Sequence, residues 1–166
     1  KLEEVFARCM GAEAALVRPQ FMSGTHTLTV ALFGLLRTGD TLLAATGRPY
    51  DTLEGVIGIG DAGKGCGTLR EFGVNYDECP LLPDFTPDYD LIAEKARTAT
   101  VVHIQRSRGY TQRNAFDLAT IQKVADIARK ANPNAVIFVD NCYGEFTQTA
   151  EPVAFGADIM AGSFIK

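Results

Sequence analysis

Two ionisable residues beside apolar runs could do chemistry in this chain. Lys166 follows residues 157–161 and Ser163-Phe164-Ile165, a stretch that reads as a buried strand and its exit. An unpaired ammonium is costly to bury, but burial lowers its pKa, and a neutral amine condenses with an aldehyde to a Schiff base. Asp140 closes Ala135-Val136-Ile137-Phe138-Val139, a continuous apolar run typical of a strand covered on both faces. Ligands of open α/β sheets gather at the carboxyl ends of the strands, so both side chains are expected at one crevice. An amine and a buried carboxylate there suit pyridoxal phosphate. The lysine would meet the aldehyde, and the carboxylate would keep the ring nitrogen protonated, so that the ring is an electron sink. Two plain alternatives stay open: a strand-end lysine that reaches water, and an aspartate that caps the next loop.

A phosphate would need a cradle, and Ser23-Gly24-Thr25 offers one. These residues follow a short apolar segment expected to be a strand over 14–17, then Pro19 and Phe21. They open a helix expected over 25–36, where Leu28, Leu32, Leu35 and Leu36 recur at helical spacing. Glycine at a helix start admits a close backbone approach, and the exposed N–H groups with the helix dipole favour an anion. Ser23 as an ordinary N-cap is the simpler alternative.

The elements that must position these residues alternate. Strands are expected at 14–17, 41–45, 73–79, 101–104, 135–139 and 159–163. A first helix over 1–10, with Leu2, Val5, Phe6 and Cys9 on one face, stops at Gly11. Another over 117–131 keeps Leu118, Ile121, Val124, Ala125 and Ala128 on one face and ends at Asn132-Pro133. Alternation of this kind predicts an α/β fold, a mostly parallel sheet with helices on both faces.

The 166 residues suit one domain, and 46% hydrophobic with 22% charged residues is the balance of an ordinary globule. A net charge of −4 gives no reason to expect nucleic acid or an anionic membrane as partner. No apolar stretch is long enough to span a bilayer, and no signal-peptide pattern opens the sequence. The four cysteines form no C-x-x-C pair, and with two histidines a metal site is not expected. A reduced, cytoplasmic protein is the simplest expectation. His26 lies beside the cradle and could touch a cofactor, whereas His103 inside an apolar strand reads as a core residue; neither is given a catalytic part.

A rival motif sits in Gly58-Ile59-Gly60-Asp61-Ala62-Gly63-Lys64-Gly65, which holds a G-x-G-x-x-G and nearly a P-loop. The P-loop needs a hydroxyl where Gly65 stands, and the dinucleotide motif needs a preceding strand, where residues 50–57 read as a helix. The glycines are therefore taken as a loop on the active-site side.

Together the motifs resemble a family. Ser-Gly-Thr, then Pro49-Tyr50-Asp51-Thr52-Leu53, Val139-Asp140-Asn141 and Gly162-Ser163-Phe164-Ile165-Lys166 resemble the fold type I, pyridoxal-phosphate-dependent enzymes of Cys/Met metabolism. Ile104-Gln105-Arg106-Ser107-Arg108-Gly109-Tyr110 and Val139 to Phe146 narrow this to the methionine gamma-lyase-like, aluminium-resistance or cystathionine beta-lyase-like group. The resemblance implies a Schiff base and Cα proton transfer at Lys166, and a ring-nitrogen partner in Asp140. It implies phosphate contacts from Ser23, Gly24, Thr25 and Ser163, and a stacking, proton-relaying Tyr50. There are two departures. Ile165 stands where better-characterised members have a threonine close before the lysine, and Arg106, Ser107 and Arg108 replace the usual loop after the strand over 101–104. A guanidinium fork suits a carboxylate, so Arg106 and Arg108 are candidate substrate contacts, with solvent-exposed arginines as the alternative.

The resemblance implies a carbon–sulfur lyase that releases a thiol, a keto acid and ammonia from a cystathionine- or methionine-like amino acid. An aldolase or aminotransferase, a P-loop nucleotide hydrolase and a non-catalytic relative remain alternatives. Residues 1–166 are expected to be part of a pyridoxal-phosphate-binding large domain, with its remainder and a C-terminal small domain outside the sequence. A homodimer or homotetramer is expected.

Overall fold

The computed structural model of the chain describes residues 1–61 and 67–165. Five strands form one parallel sheet: β1 (Thr41–Ala44), β2 (Asn75–Glu78), β3 (Val101–Gln105), β4 (Val136–Asp140) and β5 (Ile159–Ala161). Their order is β2-β1-β3-β4-β5. The helices are α1 (Leu2–Met10), α2 (Gly24–Leu35), α3 (Asp51–Ile57), α4 (Tyr89–Lys95) and α5 (Leu118–Ala131), with short 3-10 turns at Ala96–Thr98 and Pro152–Phe155. This is the expected α/β architecture. No helix among the described residues is long and apolar enough to cross a membrane.

Strand side chains alternate between two cores because successive residues point to opposite faces. Leu43, Val102, Ile104, Ile137 and Val139 pack with Ile92 of α4 and with Ile121 and Val124 of α5. On the other face, Leu42, Val101 and Phe138 pack with Leu28 and Leu32 of α2 and with Leu53 and Ile57 of α3. Strand β3 is buried at every position, which explains why it is apolar without alternation. Each fully buried Leu, Ile or Val contributes roughly 1.5–3 kcal/mol.

Helix ends follow their sequence signals. The Asp117 carboxylate caps α5 by accepting from Thr120 N at 2.8 Å, while Arg129 and Lys130 in its last turn oppose the negative end of the dipole. In α4 the Asp88 side chain accepts from Leu91 N at 3.0 Å.

The first helix forms as expected and ends at Gly11, with Leu2 and Val5 exposed and Ala7 and Met10 buried. Two expectations are corrected. Residues 14–17 form no strand: Leu16 is 71% exposed, and Val17 N donates to Glu3 Oε1 rather than to a neighbouring strand. Strand β5 ends at Ala161, not residue 163, because Ser163 N donates to the Glu145 carboxylate instead of continuing the ladder.

The order of strands reverses between β1 and β3, which lie side by side while their connections leave in opposite directions. At such a switch point the loops beyond the strand ends part and open a crevice.

Candidate active site

The crevice is built from the loops after β1 and β3. Beyond β1 the chain turns into α3, and Tyr50, the residue before that helix, donates its backbone N–H to Gln105 Oε1 at 2.9 Å. Gln105 ends β3, and its own N–H donates to Thr46 Oγ1 at 3.0 Å. Gly109 covers this junction: with φ at 57° and its position against Gln105 Nε2 and Tyr50 Cβ, it leaves no room for a side chain.

Register brings Asp140 beside the same place. Gln105 pairs with Asp140 across β3 and β4, and Asp140 with Ala161 across β4 and β5. By strand alternation Asp140 shares the α2/α3 face with Phe138, and Gln105 shares it with His103 and Val101. The Asp140 carboxylate is buried, and its Oδ1 accepts from Cys142 N at 3.0 Å.

Tyr50 connects Asp140 to the start of α2. Its hydroxyl lies 2.8 Å from Thr25 Oγ1. Burial pushes its pKa up to about 12, the Thr25 hydrogen bond opposes that shift, and the nearby Asp140 carboxylate adds to it. The phenol therefore keeps its proton near neutral pH. Ser23 caps α2 with its hydroxyl accepting from His26 N at 3.1 Å, and Met22 N donates to His26 Nδ1 at 3.1 Å. Gly24 and Thr25 thus open a helix whose first amides point outward.

Of the sequence-predicted site residues, the structure brings Gly24, Thr25, Tyr50 and Asp140 together, with Ser23 capping the helix behind them. Ser163 lies two residues beyond β5, held through its backbone N–H by Glu145 Oε1 at 2.6 Å. Lys166 lies outside the described residues, as does Lys64 of the glycine motif. That motif starts where α3 ends, so a helix precedes it, not the strand a P-loop or dinucleotide fingerprint requires.

The two loop arginines separate. Arg106 is buried and donates to Asn141 Oδ1 at 2.7 Å, Gly144 O at 2.9 Å, Thr147 Oγ1 at 3.2 Å and Gln148 Oε1 at 2.8 Å. It also faces Glu151 at 3.7 Å, and burial lowers its pKa while Glu151 and Glu145 oppose that shift. This guanidinium clamps the loop after β4. Arg108 is exposed and borders two clefts, one of about 450 Å³ beside Tyr50 and Gln105, the other of about 480 Å³ beside Tyr143 and Asp117.

Several residues had no assigned role in the sequence. Gln105 aligns Tyr50, Glu145 holds the exit of β5, and Glu151 and Asn141 complete the Arg106 clamp. Arg113, also buried, donates to Gln105 O at 2.8 Å and stacks over Phe116 at 4.1 Å. Gln105 carried a legible signal: a polar residue closing an apolar strand, as Asp140 does. The loop residues carried none.

A five-stranded parallel sheet with this switch point, flanked by helices on both faces, is the α/β fold type I arrangement. At that level the fold matches the pyridoxal-5'-phosphate-dependent protein YhfS of Escherichia coli, with a TM-score of 0.68 at 19% identity. The chain belongs to the methionine gamma-lyase family, whose model matches residues 1–166. It is 47% identical to the uncharacterized protein YnbB of Bacillus subtilis, over 99% of this chain and 39% of YnbB. It is also 47% identical to a Listeria monocytogenes protein described as a candidate cystathionine beta-lyase involved in aluminium resistance. That structure superposes with a TM-score of 0.94 over 99% of this chain and 42% of its own. A carbon–sulfur lyase involved in aluminium resistance from Clostridium novyi NT is 46% identical, with a TM-score of 0.92 over 99% of this chain and 39% of its own. The chain thus spans about two fifths of the length of these relatives.

Proposed function

We propose that this chain is the cofactor-binding part of a pyridoxal-phosphate-dependent carbon–sulfur lyase acting on a cystathionine- or methionine-like amino acid, with thiol, keto acid and ammonia as products. The observation that carries the reading is the convergence of Thr25, Tyr50 and Asp140 at the crevice. These residues fit the cofactor: Asp140 for the ring nitrogen, Tyr50 for the ring face, and the opening turn of α2 for the phosphate, with Ser163 adding its hydroxyl. The names of the relatives from Listeria and Clostridium support the reaction class.

When bound, pyridoxal phosphate supplies the electron sink that lets a Cα proton leave. The protein's part is positioning and proton transfer. Lys166 would hold the cofactor through its Nζ, and the same amine would serve as the base for the Cα proton. The Asp140 carboxylate would pair with the ring nitrogen and favour its protonated form. Tyr50 Oη, protonated at neutral pH, gives its proton to the departing sulfur. Arg108, exposed at the mouth of both clefts, binds the substrate carboxylate. Arg106 contributes indirectly, by fixing the loop after β4 that lines one of these clefts. The rim exposes Tyr110, Tyr143 and Phe146, a surface suited to cover by another subunit of a homodimer or homotetramer.

The test is release of ammonia and keto acid from sulfur amino acids by the full-length protein. Asp140→Ala should lose the visible absorbance of the cofactor together with turnover. Tyr50→Phe should keep the cofactor and lower kcat by about 10²–10⁴ with little change in KM. Transamination or aldol products, with no ammonia from any thioether, would overturn the lyase assignment.

A further inference from the structure

We propose that Glu145 is the positioning residue that sets the turn after β5, which leads to Lys166, relative to Asp140, an inference that rests on the reading of Lys166 as the Schiff-base residue. Strand β5 stops at Ala161, so the backbone beyond it has no ladder partner to fix its course. A side chain takes that place: Ser163 N donates to Glu145 Oε1 at 2.6 Å, a short, charge-assisted bond. The fit is close, because a methyl group at Gly162 would run into the Glu145 carboxylate. A side chain at 162 would thus push the Glu145 carboxylate out of its present place.

The same loop grips the turn a second time. Phe146 lies 5.9 Å from Phe164, whose other neighbour is Phe6 of α1 at 5.0 Å. Tyr143 and Phe146 both hold left-handed backbone, with φ at 67° and 58°, a conformation that residues with a Cβ adopt only when their surroundings impose it. At 146 a buried carboxylate holds it: Phe146 N donates to Glu151 Oε1 at 2.8 Å, and Glu151 Oε2 accepts from Asn141 Nδ2 at 2.8 Å. The loop begins at Asp140, where Cys142 N holds the carboxylate. One loop therefore orients the carboxylate at its start and, five residues on, fixes the segment leading to Lys166. Glu145 is the link between them.

The experiment compares Glu145→Gln, which keeps an oxygen acceptor at the same reach, with Glu145→Ala in the full-length protein. Amide hydrogen exchange is followed in the cofactor-free protein. Borohydride trapping of pyridoxal phosphate on Lys166 is followed separately. With Ala, exchange at Ser163 should rise about tenfold and trapping at Lys166 should fall, while the Cys142 amide beside Asp140 stays protected. Gln should remain close to the wild type in both. Glu145→Asp, one methylene short, carries the same expectation as Ala should that variant not fold. Unchanged exchange and trapping with Ala, or equal losses with Gln and Ala, would overturn the proposal. A wild-type protein that traps no cofactor on Lys166 would instead refute the proposed function, and Ser163 exchange would still decide the part played by Glu145.

Discussion

His103 shows what a single buried side chain costs. It sits in the middle of β3, its ring 5.7 Å from Phe138, and its Nε2 is the one buried side-chain polar atom without a partner among the described residues. Burial lowers its pKa to about 4. An unfolded histidine takes up its proton near pH 6.5, so between pH 6.5 and about 4 the unfolded chain binds more protons than the folded one. Stability should therefore fall on acidification across that window, by roughly 3 kcal/mol, and this site should contribute no pH dependence above it. Urea unfolding at pH 7.5 and 4.5 checks this. His103→Leu should lose much less than the wild type on going to the lower pH, and equal losses in both proteins would contradict the assignment. Thr25 and Asp140 could be read as candidate site residues because each is a polar type at a helix start or a strand end, whereas Tyr50 came from the resemblance alone. The polarity of Gln105 at the end of an apolar strand is visible in sequence, but what it aligns comes from strand register, and the part of Glu145 from loop closure, which only the folded chain supplies.

At the scale of elements, the loop after β4 depends on Arg106. Its guanidinium ties Asn141, Gly144, Thr147 and Gln148 together and faces Glu151. Arg106→Ala would leave Glu151 buried without its cation and would take one donor from each of four loop acceptors. Such a loss costs about 3–5 kcal/mol, whereas exposed Arg108→Ala should stay within about 0.5 kcal/mol. Chemical denaturation of both variants measures the contrast, and similar stabilities would contradict it. The same contrast explains why two arginines in one loop looked alike in sequence: type and spacing do not tell burial. Strands β3 and β4 and helix α5 were legible, because long apolar runs and a clean helical period leave little choice. Helix α4 was passed over although Asp88 before Leu91 and Ile92 is a capping signal. Residues 14–17 misled because Ala-Ala-Leu-Val is apolar, yet Leu16 has no sheet edge to join.

For the whole molecule, the sheet accounts for where the site lies. The switch between β1 and β3 parts their loops, and register then sets Asp140 next to Gln105 and, through it, Tyr50. The chain spans about two fifths of its relatives, so substrate choice is a property of the full-length protein. The proposed function rests centrally on Lys166 as the Schiff-base residue. Borohydride reduction of the full-length protein with pyridoxal phosphate, followed by peptide mass mapping, tests this most directly. A pyridoxyl mass increment on the peptide containing Lys166 is the predicted result. An unmodified Lys166, or the increment on another lysine, would contradict it.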